Sequence, residues 1–193
     1  MALYTLEKYY PNYRDELGDN LKDIKSYDVY AEGDNQVGSV KDLLVDESGL
    51  FRYAVVDTGP WIFGKTVLLP IGLARFDHNR SRVYVDGLSR QQVENLPDYQ
   101  RDQIVDDQYE SQVRDQYRAV GQRRTNRQFM GQTVENSRSV EGTAAVEAST
   151  PVGSAAYDRE PALYGMSEED NQQTLKLYEE RLVTNLRREK VGE

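Results

Sequence analysis

Apolar and polar positions alternate through much of the first hundred residues. Phe51, Tyr53 and Val55 share one face of an extended segment, and Arg52, Ala54 and Val56 share the other. Apolarity on both faces predicts a central strand. Val67, Leu69 and Ile71 alternate with Thr66, Leu68 and Pro70, and Val83 and Val85 alternate with Arg82, Tyr84 and Asp86. Tyr27 to Ala31 is short and β-prone. Between Val37 and Val45 the apolar phase shifts near Lys41 and Asp42, with Gly38 close by, which predicts a bulge or a strong bend. Polar turn signals separate these runs at residues 32–35, 46–49 and 77–80. Five or six short strands at this spacing predict a mainly β sandwich or barrel, and closing the sheet would remove its exposed edges.

Helical signals follow. Ser89 with Gln92 three residues later is a capping-box pattern, Leu88 and Val93 match a hydrophobic staple, and Pro97 stops the helix. Over residues 101–121, Val105, Tyr109, Val113 and Tyr117 recur every four positions, so an amphipathic helix is predicted. Glu110 and Arg114 add a favourable i,i+4 pair, and Gly121 suits its C-terminal cap. The stripe is thin. It either docks on the β domain or self-associates, which makes Tyr109, Val113 and Tyr117 contact candidates.

The remainder is less regular. Residues 1–22 form an N-terminal extension with a turn at Pro11 and Asn12, and its tyrosines are expected to pack on the domain. Residues 23–100 are the β domain. Residues 122–173 lack periodicity and are rich in small and polar residues, so a disordered linker is predicted. Residues 174–193 turn apolar again; Leu175, Tyr178, Leu182 and Leu186 fit a helix, while the first few positions fit a strand equally well.

Composition narrows the chemistry. Hydrophobic residues make up 38%, consistent with a chain that does not all enter a core. The net charge is −9 and both halves are acidic, so no direct nucleic-acid contact is expected. Arg123, Arg124 and Arg127 form the one local basic cluster. The chain has no cysteine and one histidine, His78, in a polar turn. That removes thiolate catalysis and leaves a histidine relay without a visible partner. The adjacent carboxylates Asp46 and Glu47, Asp106 and Asp107, and Glu168 and Glu169 read as solvated surface. A calcium site from Glu32, Asp34 and Asp46 lacks the required loop pattern. No catalytic residue, metal or cofactor is expected. No run approaches membrane-span length and no secretory signal is visible, so a cytoplasmic protein is expected.

One loop carries the sharpest contact signal. Trp61, Ile62 and Phe63 sit between Gly59 and Gly64. Exposed, they form an apolar contact patch; buried, they cap the open end of the barrel. A self-contact serves both readings and gives a homo-oligomer.

The runs DVYA at 28–31, VGSVKDLLVD at 37–46, FRYAVVDTG at 51–59 and KTVLLPI at 65–71 together resemble the PRC-barrel family. That family is named from the cytoplasmic domain of the photosynthetic reaction centre H subunit and is shared with the RimM ribosome-maturation factors. The runs LYEERLV at 177–183 and REKVGE at 188–193 are similar to the opening of the YsnF/AvaK conserved domain. In bacterial stress-associated proteins that domain follows a PRC-barrel through a linker. The chain ends at Glu193, so the expectation is a truncated start of it. These resemblances imply a small barrel of five to six strands, a short capping helix, a following amphipathic helix and a disordered linker. They imply a non-enzymatic protein-binding or scaffolding module of the stress response, with an unidentified protein partner or a second copy. The alternatives are a ribosome-associated assembly factor, or an adaptor at the cytoplasmic face of a membrane with peripheral contact only.

Overall fold

The structure, a computed structural model, describes residues 2–13, 24–59, 64–100, 103–132, 157 and 159–165, with helix side chains as far as residue 123. Among the described residues seven strands form one sheet: β1 Tyr4–Thr5, β2 Asp28–Ala31, β3 Asn35–Val45, β4 Phe51–Asp57, β5 Thr66–Pro70, β6 Arg75–Asp77 and β7 Arg82–Tyr84. Their order is β5-β4-β3-β2-β7-β6, and β1 pairs with β3. All pairings are antiparallel except β2 with β7. That exceeds the expected five or six, because β1 and β6 are too short to leave a period-two signature.

β3 is the spine. It pairs with β2 at one end, and with β4 and β1 at the other. It reaches all three because it bends: the β3–β4 register shifts between Val40 and Asp42, and β2 shifts opposite Gly38. A Cβ at Gly38 would lie 2.3 Å from the Asp57 carbonyl oxygen, so only glycine fits where β4 crosses. The bulge expected from the phase shift is present.

The expected closure is not. The sheet path ends at β5 and β6, and among the described residues no ladder joins them. Pro70 ends β5 without an N–H to donate, and the chain turns through a buried 3-10 turn, Ile71–Leu73. The β5 edge is covered instead. Thr66 N–H donates to the Asp98 carboxylate at 3.2 Å and Tyr99 N–H donates to the Thr66 carbonyl at 2.7 Å. The Tyr117 hydroxyl donates to the Leu68 carbonyl at 3.0 Å. An edge satisfied this way offers no template for another strand.

The helices fall partly as expected. α1, Leu6–Tyr9, belongs to the N-terminal extension, whose Leu6, Tyr10 and Tyr13 are buried. α2, Arg90–Glu94, has the complete capping box: Ser89 Oγ accepts from Gln92 N–H, and Gln92 Oε1 accepts from Ser89 N–H. α3 spans Asp107–Gln132, not 101–121. Its start is set by Asp106, whose carboxylate accepts from Tyr109 N–H at 2.8 Å. It runs through Gly121, which is therefore no cap. Val105 at its approach, and Tyr109, Val113, Tyr117 and Val120 along it, are all buried in the common core. α4, Pro161–Tyr164, lies within the stretch expected to be disordered. Tyr157, Leu163 and Tyr164 are buried there, because each finds apolar or aromatic partners that the local sequence does not reveal. Residues 133–156, and everything from 166 onward including 174–193, lie outside the described residues.

Candidate functional site

Among the described residues, charged and hydroxyl groups gather in the interior at the junction of β4, α3 and the segment 157–165. Asp46, expected to be solvated, is fully buried. Its Oδ1 accepts from Ser48 N–H at 2.8 Å, Ser48 Oγ–H at 2.6 Å and Leu50 N–H at 3.1 Å. Its Oδ2 accepts from Arg52 Nε–H at 2.7 Å. A turn carboxylate bound this completely orders the β3–β4 turn and neutralises a guanidinium that is itself 7% exposed. The Arg52 guanidinium then lies 4.4 Å from the centre of the Tyr157 ring.

A second arm starts at Tyr53. Its hydroxyl donates to Glu110 Oε1 of α3 at 2.9 Å and lies 2.5 Å from the Tyr164 hydroxyl. Glu110 is 3% exposed, and a buried carboxylate is tolerated only with donors around it. The Tyr157 hydroxyl borders the same carboxylate. Tyr164 stands edge-on to both Tyr53 and Tyr157, at 5.5 and 4.7 Å between centres. On the outer side, Arg118 reaches Glu160 at 3.5 Å and Asp115 at 3.1 Å.

Two glycines let the segment sit this close. A Cβ at Gly72 would meet the Leu163 carbonyl oxygen at 2.6 Å. A Cβ at Gly121 would lie 3.5 Å from Ala162 Cβ and 3.2 Å from Leu163 Cδ2. A cleft of about 470 Å³ remains beside the contact, between Arg118 and Gln122 of α3 and residues 159–163. A second, of about 330 Å³, opens over β3 and β4 near Lys41, Asp57 and Tyr99.

Residues 18–92 match the family of the PRC-barrel domain. That stretch is a PRC-barrel domain. A 79-residue part of the chain is 39% identical to an uncharacterized protein of Deinococcus radiodurans, covering 38% of this chain and 28% of that relative. The junction cluster straddles the boundary of the PRC-barrel domain. Asp46, Arg52, Tyr53 and Gly72 belong to it; Glu110, Tyr157, Leu163 and Tyr164 come from sequence beyond it. What the arrangement does chemically is to fasten α3 and residues 157–165 to the PRC-barrel domain by paired charges and phenols.

The contact candidates divide in two. Tyr109, Val113 and Tyr117 are brought together, but inward, against the PRC-barrel domain. Trp61, Ile62 and Phe63 lie outside the described residues. The residues flanking them in sequence are described: Gly64 N–H donates to the Gly59 carbonyl and Thr58 N–H to the Lys65 carbonyl, both at 2.9 Å. His78, expected to be solvated, is half-buried, with Nδ1 3.2 Å from the Tyr27 hydroxyl and its ring stacked on Phe76. Among the described residues no three His, Asp or Glu side chains converge on a metal position, and no helix is long and apolar enough to cross a membrane. Sequence reasoning missed Tyr157, Tyr164, Glu110 and the Asp46–Arg52 pair. One signal pointed to the segment: Pro161 at a helix start and Gly165 just past its end, around Leu163 and Tyr164.

The buried phenols give the junction an alkaline limit. Desolvation raises Tyr53, Tyr157, Tyr164 and Tyr117 above their ordinary value near 10. The folded state holds these protons more tightly than the unfolded chain. Their contribution is therefore full below about pH 10 and is lost as pH rises above it. Phenolate absorbance followed on raising the pH should show one class of tyrosines ionising freely and a second ionising only together with loss of the fold. Smooth ionisation of all tyrosines, with the fold intact, would contradict the burial.

Proposed function

We propose that this protein is a non-enzymatic protein-binding or scaffolding module, in which the PRC-barrel domain carries the contacts to a partner or to a second copy. The observation that supports this reading is the junction itself: the domain holds a short segment, 111 residues away in sequence at the Tyr53–Tyr164 contact, by specific side-chain pairs. The apolar run Trp61, Ile62 and Phe63, between Gly59 and Gly64 in the sequence, is the proposed outward contact. A stress-response setting rests on the resemblance of residues 177–183 and 188–193 to the opening of the YsnF/AvaK domain, and a cytoplasmic location on the sequence reading alone.

Light scattering on a sizing column tests the reading. At low protein concentration the wild-type chain is expected to run as an oligomer, and Trp61→Ala/Phe63→Ala as a monomer. Two anchors of about 2 kcal/mol each weaken association by roughly a thousandfold. A monomeric wild type, with a variant that merely melts earlier, sinks self-association through the loop.

A further inference from the structure

We propose that the groove between the Ile71–Leu73 turn and α3 also accepts residues 157–165 of a second copy, so that two chains exchange these segments reciprocally. The inference rests on the scaffolding reading and names its partner. The groove is shaped for this ligand: Arg52 lies under the Tyr157 ring, Tyr53 meets Tyr164, and Gly72 leaves room for the Leu163 backbone. Each of these contacts is made by residues 157–165 alone. Nothing in them requires that segment and groove belong to one chain.

The connection allows either arrangement. Gly121 touches the segment, yet α3 runs on to Gln132, about 16 Å farther along its axis at 1.5 Å per residue. The chain thus leaves α3 well away from the groove. Residues 133–156 span at most about 80 Å when extended, enough to return or to reach a neighbour. Exchange replaces every contact by an identical one and closes a two-fold pair, so its thermodynamic cost is small. Protein concentration, set against the effective concentration of the tethered segment, decides between the two forms.

The chain has no cysteine, which makes disulfide trapping clean. Gly121→Cys and Ala162→Cys place two thiols on positions whose Cβ atoms lie 3.5 Å apart, within disulfide range. The two single variants, as full chains, are mixed at high concentration, oxidised slowly, and the linked peptides read by mass spectrometry. A 121–162 bond between different single variants forms only in trans. The expected result is that unlike pairs outnumber like pairs beyond random pairing. Random or absent unlike pairing overturns the exchange.

A second mixture covers the case in which Gly121→Cys distorts α3. Gly72→Ala closes the groove with one methyl, and Leu163→Asp spoils the segment. Mixed as full chains, both also carrying Trp61→Ala/Phe63→Ala so that the loop contact is removed, they should form a one-to-one pair by light scattering that neither forms with itself. If the mixture is only the sum of its parts, exchange does not occur. The scaffolding reading then still stands or falls on the Trp61→Ala/Phe63→Ala result.

Discussion

Tyr117→Ala is expected to destabilise the protein by about 3–5 kcal/mol, because it removes a fully buried aromatic side chain and leaves a cavity between α3 and β5. The loss is not only apolar. The Leu68 carbonyl on the edge strand accepts from the Tyr117 hydroxyl and would be left buried without it. Tyr117→Phe separates the two terms, since it keeps the ring and removes the donor. It should cost about 1–3 kcal/mol. Thermal unfolding reads both, with a shift of roughly 6–20 °C for the alanine variant at this chain length. The measurement also decides what the Tyr109, Val113 and Tyr117 stripe is for. An alanine variant within about 1 kcal/mol of wild type would mean that α3 stands off the PRC-barrel domain in solution. The stripe would then be free to self-associate, the second of the two sequence-based alternatives.

Asp46→Ala should be comparably severe, again about 3–5 kcal/mol. It strips a buried guanidinium of its counter-charge and removes the acceptor for two backbone N–H groups of the β3–β4 turn. Arg52 then has no low-energy place to be: one side is closed by the sheet and the other by the Tyr157 ring. Asp46→Ala/Arg52→Met removes both charges. It should recover part of the loss, though not all, because the turn N–H groups stay unsatisfied. Denaturant unfolding of the two singles and the double gives the coupling directly. A double variant no more stable than Asp46→Ala alone would show that the ion pair is not what holds this corner.

These two residues also mark what is readable locally. Tyr117 belongs to a four-residue repeat, so its helix and face are visible from spacing; its hydrogen bond to β5 is not. Asp46 sits in a turn signal, DESG, where a carboxylate is ordinarily solvated. Its burial depends on Arg52 across the strand and on Tyr157 from a distant segment. Gly121 shows the same limit from the other side. A glycine after an apolar stripe reads as a cap, yet here the missing Cβ serves close approach by Ala162 and Leu163, and the helix continues.

β2 to β5, the bend in β3, the turns between them and the capping box at Ser89 are all legible in the amino-acid sequence. Each rests on side-chain alternation, steric permission at a glycine or a hydrogen bond within three residues, and such interactions are complete before the chain folds back on itself. The sequence also carried the PRC-barrel resemblance, since that is written in the same strands. Tertiary structure alone decided that the sheet stays open between β5 and β6, that α3 turns its tyrosines inward, and that residues 157–165 dock over Arg52 and Tyr53. Those outcomes depend on pairings across tens to more than a hundred residues. No local pattern encodes which buried carboxylate a distant phenol will meet, because the favourable energy appears only when both have lost their water together.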